Sequence, residues 1–506
     1  MEGMKEGFKN ISKRTWTRVI LVSIFFVIFA FSLFGEKVAH NNGIGWDGEN
    51  YLNTIQHFSE LITTHGYDRY AIQRIMPWGL VNVVFQVCHI EATPHNALIA
   101  GGVLTLLALA LAILFFFRTS SLKQWKQSTE VIAFASLFYS FSILKATGYI
   151  LLSSDVYAFL WGIMYVYYFL SDRKLILLLL AILGAVNWPG VALLSGLALV
   201  FLPHEKLAIQ KTLNKGDVCV YYTILWGISL LPLLYQLVAL VLPPNHNVNM
   251  FHLDGRPDTN IMYFFISVLS VCAYWYYLIR PFKISLTQTW DTINTRKNGL
   301  GLLAFICVYV IITEALHLLA SHEDGMLNNK GLLMNVLVSG TVDPFSFVES
   351  FFAFYGPVVL VVLLLWKQST NYIIEKGVGY FFVIALSIFF AVRPEARVSI
   401  MFVPLMVLPV MEYIDTFDLK KWVAPVYMVA SIILSHVWFP INVEGMEDAF
   451  EEETFANLSS FPAQRWFMCS GHWQSHEMYA LFMTITIIVG GVLYIGVRRK
   501  WFIEKQ

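Results

Sequence analysis

The sequence predicts an all-α protein that crosses a membrane many times. Of the 506 residues, 57% are hydrophobic and 13% are charged, about half the charged fraction of a typical soluble domain. Apolar runs of about 18 or more residues recur along the chain, and only helices or closed barrels satisfy the backbone inside a bilayer. Uninterrupted runs of that length favour helices. Because the 34 basic and 34 acidic residues cancel, net charge indicates no partner, and no feature predicts nucleic-acid binding.

Basic residues set the expected orientation of the first helices. Lys and Arg favour the cytoplasmic side of short loops, and five of them precede the apolar run 19–35. No small-residue cleavage site follows that run, so we expect a retained first helix and a cytoplasmic N-terminus. The next basic loop is 118–128, which leaves room for one further crossing at 95–117. Residues 36–94 are therefore expected to form a large outer loop.

Within this loop, residues 74–90 predict an amphipathic helix that lies in the membrane interface. The segment is apolar but short, and Asn82, Gln86 and His89 recur along it at helical spacing. The alternative is a true span, which would invert every later loop. The distribution of basic residues favours the interfacial helix.

The rest of the chain predicts a regular series of spans. Residues 130–147 and 153–170 are expected to form single helices, and 175–203 a short hairpin that turns at 187–190. Further spans are expected near 218–242, 261–279, 300–320, 349–366, 377–392, 398–414, 423–440 and 478–497. The total is about fourteen crossings at about 20 residues each. The C-terminus is then cytoplasmic, and further outer loops lie at 243–260, 321–348 and 441–477.

The outer loop that follows the first helix carries a group of candidate site residues. Asp47 and Glu49 stand in the stretch WDGENY at 46–51 and are either solvated loop residues or part of a site. The stretch HGYDRYAIQRIMP at 65–77 follows. Its two guanidiniums are suited to binding a phosphate bidentately. The candidates here are Arg69 and Arg74 for phosphate, and Tyr51, Tyr70 and Gln73 for substrate.

Two further charged positions are expected on the same side. Asp155 stands at the outer start of a helix, where it is either an N-cap or a second acid that faces the cavity of Asp47. Arg393, Glu395 and Arg397 lie at an outer membrane boundary, where arginine is costly to bury unless an anion pairs with it. That anion is either Glu395 or a lipid phosphate.

Two histidine-containing pairs complete the candidates. His472 and His476 are one helical turn apart among aromatic residues, which is weak evidence for a metal site without a third ligand. His472 is retained as a candidate for substrate binding. Glu314 and His317 share a helix face inside an apolar run, where they either satisfy each other or relay a proton. No CxxC pair is present, so neither a disulfide framework nor a zinc site is expected.

Taken together, these features resemble the GT-C superfamily of membrane glycosyltransferases. The resemblance rests on an acid in the loop directly after the first helix, an interfacial helix in that loop, and a second acid at the start of a later helix. The pattern DGxxY…YxxQRxxP, from Asp47 to Pro77, is similar to bacterial members of the superfamily. The resemblance implies two modules, a GT-C-like catalytic membrane module at 1–210 and a variable transmembrane module at 211–506.

The resemblance implies an inverting transfer from a polyprenyl-phosphate sugar to a glycan, lipid or protein acceptor. Asp47 is implied to be the base, with Glu49 and Asp155 as further catalytic candidates. The superfamily often has two adjacent acids where this chain has Asp47-Gly48-Glu49. Basic groups would stabilise the leaving phosphate; the candidates are Arg69, Arg74, Arg393 and Arg397. A divalent cation is left open, no metal ligand is assigned, and the expected location is the bacterial inner membrane.

Two other classes remain as alternatives. A polysaccharide polymerase or O-antigen ligase-like protein would depend on Arg393 and Arg397 more than on Asp47. A transporter or lipid flippase would carry functional charge at mid-membrane depth, where Glu314 and His317 are the candidates. Transporters often contain internal repeats, and none is evident in this sequence, so this class ranks third.

Overall fold

Helices form the regular structure of the described residues. The computed structural model describes residues 13–38, 41–188, 190–207, 215–241, 261–321, 340, 343–393, 395–438 and 476–504. No strand is formed within those ranges. The all-α class predicted from the sequence is therefore confirmed for this part of the chain.

Residues 13–207 form helices of very unequal length. They are α1 (Lys13–Leu33), α2 (Trp46–Thr63), α3 (Trp78–Val87), α4 (Pro94–Lys123), α5 (Gln127–Phe138), α6 (Asp155–Leu170), α7 (Lys174–Gly184) and α8 (Val191–Phe201). A 3-10 turn lies at Ala71–Arg74, and a π-helical turn at Ser142–Ala146 continues into Thr147–Tyr149. The expected hairpin over 175–203 is present as α7 and α8.

Residues 215–504 form a second series of helices. They are α9 (Lys215–Ser229), α10 (Leu231–Val241), α11 (Ile261–Ile279), α12 (Leu286–Ile293), α13 (Arg296–Leu319), α14 (Ser346–Tyr355), α15 (Val358–Glu375), α16 (Gly377–Phe390), α17 (Val403–Ile414), α18 (Val423–Leu434) and α19 (His476–Arg498). A 3-10 segment, Ala396–Phe402, leads directly into α17.

The lengths and composition of the helices are compatible with an integral membrane protein. Among the described residues, six helical segments are long and apolar enough to cross a membrane, or eight if each of two bent pairs counts as one span. The remaining apolar helices have 10–17 residues, apart from α11 with 19. Helix α13 has no fully buried residue, and residues such as Phe305 and Ile312 pack it against α7 and α8 on one side. The total of about fourteen crossings and the side on which each loop lies stay predictions.

The predicted outer loop 36–94 is largely helical. Asp47 lies in the first turn of α2, so WDGENY begins a helix. Helix α3 has ten residues and is about 15 Å long at about 1.5 Å per residue, which is half the hydrocarbon thickness of a bilayer.

The prediction of a single helix over residues 130–147 is wrong. The chain bends there by 50° between α5 and the π-helical turn. At the bend the Oγ atoms of Ser140 and Ser142 lie 2.8 Å apart, and Ser140 O accepts backbone hydrogen bonds from two residues of the turn. The turn places Lys145 Nζ 3.6 Å from Glu36 Oε2. Helix breaks of this kind often occur at functional sites.

Two other expected spans are also divided. Residues 218–242 form α9 and α10, which bend by 48°. Residues 349–366 fall on α14 and α15, which are separated by Gly356 and Pro357. Gly356 has a φ of 77°, a left-handed conformation that favours glycine, and proline cannot continue the helix before it.

A glycine allows the segment that carries Arg397 to pack against α6. The Cα of Gly162 lies so close to the 3-10 segment that a Cβ there would be 2.2 Å from the carbonyl oxygen of Met401. Any larger residue would push the segment away. The contact holds Arg397, one turn earlier, beside the first turn of α6, where Asp155 lies.

Buried ion pairs join helix ends that are expected on the cytoplasmic side. Glu130 pairs with Arg14 at 2.5 Å. Glu412 pairs with Lys123 at 2.5 Å and also with Lys376. These contacts connect α1 with α5, and α17 with α4 and with Lys376 between α15 and α16. They lie in segments other than those that carry the candidate site.

Candidate active site

Four separate segments bring charged side chains to one place. Asp47 comes from the first turn of α2, and Arg74 from the 3-10 turn that follows it. Asp155 begins α6, and Arg397 comes from the 3-10 segment before α17. All four were expected on the outer side, and the structure brings them together at one cleft and the cavity beside it.

Asp47 lies between two arginines. Its Oδ2 atom is 3.4 Å from Nη1 of Arg74 and 3.4 Å from Nη1 of Arg397. Charge-assisted hydrogen bonds of this type are usually about 2.7–2.9 Å long. The carboxylate is therefore held by attraction from both sides without a tight bond to either guanidinium.

Glu395 forms ion pairs with Arg393 and Arg397. Its buried carboxylate accepts a hydrogen bond from Nε of Arg397 at 2.7 Å and another from Arg393. Of the two anions considered for these arginines, Glu395 contacts both of them, and a lipid phosphate stays the alternative. The bond uses Nε of Arg397, and Nη1 of the same guanidinium faces Asp47.

Aromatic rings fix the guanidinium of Arg74. It stacks over the Tyr70 ring at 4.0 Å and lies 5.3 Å from the Trp188 ring, distances typical of cation–π contacts. Trp188 belongs to the turn between α7 and α8. Arg74 Nη1 also lies 3.5 Å from the hydroxyl of Tyr51.

Tyr51 connects the arginine to the start of α6. Its hydroxyl is 3.0 Å from Oγ of Ser154, and its ring stacks on Trp78 at 5.2 Å. Burial raises the pKa of Tyr51 above its usual value, and the Arg74 charge opposes this in part. The pKa of Tyr70 is also raised, chiefly by burial. Both phenols are therefore neutral at physiological pH and able to donate hydrogen bonds.

The charged groups border two openings. The outer cleft is lined by Asp47, Asn50, Tyr51, Thr54, Tyr70, Ala71 and Arg74. The inner cavity lies beside it and is lined by residues that include Asp155, Arg397, Ser153 and two hydroxyl residues of the broken helix, Ser142 and Thr147. Asp47 lines the outer cleft and Arg397 the inner cavity, and the two side chains are in contact.

Asp155 faces the inner cavity and does not cap its helix. The N-cap position is occupied by Ser154, and no side-chain cap hydrogen bond forms. The backbone N–H of Asp155 donates to Oγ of Ser153 at 3.2 Å. Asp155 is therefore not the N-cap, and it lines a cavity together with Arg397, whereas Asp47 lines the neighbouring cleft.

Other predicted site residues lie apart from this cluster. Glu49 and Arg69 are exposed and line neither opening. The side-chain amide of Gln73 donates to the backbone carbonyl of Arg69 at 2.9 Å, which is a local role in the turn. His472 lies outside the described residues.

Of the pair Glu314 and His317, the first is exposed and the second is half-buried. The Glu314 side chain is 67% exposed, with its Oε1 3.8 Å from Nδ1 of His317. The neighbouring Leu316 packs against the cluster around Tyr67 of the outer loop. This position does not suit a buried proton relay.

Several residues of the site were not predicted. Trp188 was recognised as part of a turn, but its contact with Arg74 depends on the packing of α7 and α8 beside the outer loop. Asn50 and Thr54 follow Asp47 at helical spacing. Their position on the same face as Asp47 follows from the sequence if a helix begins at WDGENY. Ser154 directly precedes Asp155 in the sequence, but its contact with Tyr51 was not predicted. The described residues contain no group of three or more His, Cys, Asp or Glu side chains placed to hold a metal ion.

Comparisons of the chain with protein-family models, with curated proteins and with solved structures find no match. Function is therefore inferred from the geometry and chemistry of the site.

Proposed function

We propose that the chain is an integral membrane glycosyltransferase that moves a sugar from a polyprenyl-phosphate donor to an acceptor hydroxyl on the outer face. The main support for the proposal is the position of Asp47, whose Oδ2 atom lies 3.4 Å from Nη1 of both Arg74 and Arg397. A carboxylate between two guanidiniums combines a base for the acceptor with cations for a leaving phosphate.

The reaction assigns a role to each charged group. Asp47 takes the proton of the acceptor hydroxyl as its oxygen attacks the anomeric carbon of the sugar. The bond between that carbon and the phosphate oxygen breaks, and its electron pair stays on the phosphate. Arg74 and Arg397 stabilise the charge that develops there. Attack opposite the leaving group inverts the anomeric centre.

The long contacts of Asp47 support this assignment. A phosphate group offers a guanidinium several oxygens and more charge than a carboxylate, and it binds arginine bidentately. Donor binding would therefore take over the Nη1 groups that now face Asp47. The carboxylate would then be free to accept a proton from the acceptor.

The aromatic residues support binding of a sugar or a phosphate. Neutral Tyr51 and Tyr70 are able to donate hydrogen bonds to phosphate or sugar oxygens. The rings of Tyr70 and Trp188 keep Arg74 in place. Precise placement of a charged group before the reaction is a large part of electrostatic catalysis.

The alternative classes receive less support from the geometry. A polymerase or ligase that depends on the late arginines would not require the contact between Asp47 and Arg397. Arg393 is already paired with Glu395. The transporter hypothesis depended on Glu314, whose side chain lies on the surface.

The proposal is tested by sugar transfer with purified protein in lipid. A panel of labelled polyprenyl-phosphate sugars is offered with a mixture of glycan, lipid and peptide acceptors. We expect transfer by the wild type and a loss of about 10²–10⁴-fold in Asp47→Asn, the usual contribution of a general base. Glu60→Gln is the matched control, because Glu60 is on the same helix and exposed.

Full activity of Asp47→Asn would overturn the assignment of the base. Transfer that survives in Asp47→Asn but is lost in Arg393→Gln would favour the polymerase or ligase class. Glu49→Gln separates the two acids of the motif, and we expect it to retain transfer because its carboxylate is exposed.

A further inference from the structure

A second cavity lies away from the active-site cleft, between helices α9, α11, α12 and α16. Its volume is about 500 Å³. Its lining is almost entirely aliphatic and aromatic, with Phe381, Phe382 and Phe389 along one side. A space of this size in a membrane protein requires an occupant or collapses.

The polar groups that line this cavity are already satisfied. The hydroxyl of Tyr221 donates to the carbonyl of Arg280 at 2.5 Å. The indole N–H of Trp275 donates to Ile388 O at 3.2 Å, and Oγ1 of Thr289 donates to Ser285 O at 2.7 Å. A cavity without free polar partners does not hold ordered water. Its occupant is therefore a hydrocarbon.

The length of the cavity matches one leaflet of a bilayer. Its wall on α16 extends from Val378 to Phe389, which is about 16 Å at about 1.5 Å per residue. Half of the hydrocarbon thickness is about 15 Å. One lipid chain in an extended conformation fits this distance.

Positive charge lies at one end of the cavity. Ile279, Phe282 and Ile284 line it, and Arg280 and Lys283 alternate with them in the sequence and are exposed. Within the described ranges, neither cation forms an ion pair with a carboxylate.

The opposite end of the cavity carries no comparable free charge. There, beyond Phe389, Arg393 is paired with Glu395. The charge complementarity therefore favours an anionic group at Arg280 and Lys283.

Helix α12 fits a membrane boundary at the same end. It begins two residues after Ile284 and carries Trp290, whose side chain is 62% exposed. Trp is enriched at membrane interfaces. Thr289 of this helix forms part of the cavity wall, so the interface and the mouth of the cavity coincide.

We propose that this cavity is a binding site for an anionic membrane phospholipid. One acyl chain lies along α16, and the phosphate is held by Arg280 and Lys283. The site is separate from the cleft of Asp47, and the proposal does not rest on the glycosyltransferase assignment.

The test measures bound lipid by native mass spectrometry of the full chain in detergent. Phosphatidylglycerol and phosphatidylcholine with identical acyl chains are the two probes. We expect one phosphatidylglycerol to be retained in preference to phosphatidylcholine. The double variant Arg280→Gln/Lys283→Gln is expected to lower its affinity about thirtyfold, at about fivefold for each basic residue near an anionic headgroup. The matched control is Arg498→Gln/Arg499→Gln, two exposed cations at the end of α19.

A second variant tests the cavity itself. Ala385→Trp places a large side chain in the space, because Ala385 lines it and is exposed, and we expect it to remove the bound lipid. Ala480→Trp on α19 is the control, an exposed alanine outside this cavity. Equal retention of both lipids, or unchanged binding in Ala385→Trp, would overturn the proposal. Displacement of phosphatidylglycerol by polyprenyl phosphate would also overturn the proposal if the displacement is lost in Arg393→Gln. The cavity would then hold the chain of a polyprenyl carrier whose phosphate is bound at the Arg393 end.

Discussion

The Nη1 atom of Arg397 lies 3.4 Å from the Oδ2 atom of Asp47, although 350 residues separate them in the sequence. The contact joins the first outer loop to the 3-10 segment before α17. The division expected at residue 210 runs between these two residues, so a fragment that ends there would lack half of the guanidinium pair. The site therefore belongs to the whole membrane domain.

Arg397→Gln is expected to reduce transfer about 10²–10³-fold, the usual effect of removing one group that stabilises developing charge. It should also weaken binding of polyprenyl phosphate without a sugar, which separates phosphate recognition from catalysis. Arg397→Lys should recover only part of the loss, because an ammonium lacks the fixed fork that contacts Glu395 and Asp47 together.

Arg173→Gln is the control for this prediction, since Arg173 is exposed between α6 and α7. Binding of polyprenyl phosphate by tryptophan fluorescence is the measurement. An Arg397→Gln protein that binds the lipid phosphate as tightly as the wild type would contradict the role of Arg397.

Glu395→Gln should make the protein less stable and more receptive to anions. The substitution leaves the guanidiniums of Arg393 and Arg397 without their buried carboxylate, a loss of about 3–5 kcal/mol in comparable pairs. Added phosphate should restore part of the unfolding temperature, because a ligand that binds the folded state stabilises it.

The measurement is thermal unfolding in detergent with and without inorganic phosphate, compared with Glu60→Gln. We expect the phosphate-induced shift to be larger in Glu395→Gln than in either the wild type or the control. Equal shifts in all three proteins would show that Glu395 does not compete with a bound anion.

Gly162→Ala should disturb the site from a distance. The added methyl group would lie 2.2 Å from Met401 O, so the 3-10 segment must move and carry Arg397 with it. Overpacking of this kind costs about 1–3 kcal/mol. Gly491→Ala is the control, because nothing lies within 4 Å of its added methyl group. Unfolding temperature and transfer rate should both fall in Gly162→Ala alone, and a wild-type transfer rate would show that Arg397 does not depend on this contact.

Part of this arrangement could be predicted from the sequence. Hydropathy indicated the helical class, and basic loops predicted one side for Asp47, Arg74, Asp155 and Arg397. Local composition therefore selected residues that the structure brings together. It did not indicate which of the neighbouring polar residues, such as Glu49 and Arg69, face away, because that depends on where α2 begins and how it is rotated.

Interruptions of the helices were harder to predict. The Gly356-Pro357 pair was a clear break signal within an expected span, and its apolar neighbours concealed it. The bend after Phe138 has no proline. It coincides with a local hydrogen bond between Ser140 and Ser142 and with the tertiary contact of Lys145 with Glu36, and hydropathy reports neither.

Glu412→Gln should destabilise the protein without changing the active-site chemistry. Glu412 is buried and pairs with Lys376 and with the partly exposed Lys123, so a neutral side chain removes the buried carboxylate from both ammonium groups and should cost about 3–5 kcal/mol. The control is Glu375→Gln, because Glu375 pairs with Lys206 at an exposed position, where such pairs contribute about 0–1 kcal/mol. Chemical unfolding in detergent measures the difference, and transfer per folded molecule should stay unchanged in both variants. Equal stability of the two variants would show that the buried cluster contributes no more than a surface pair.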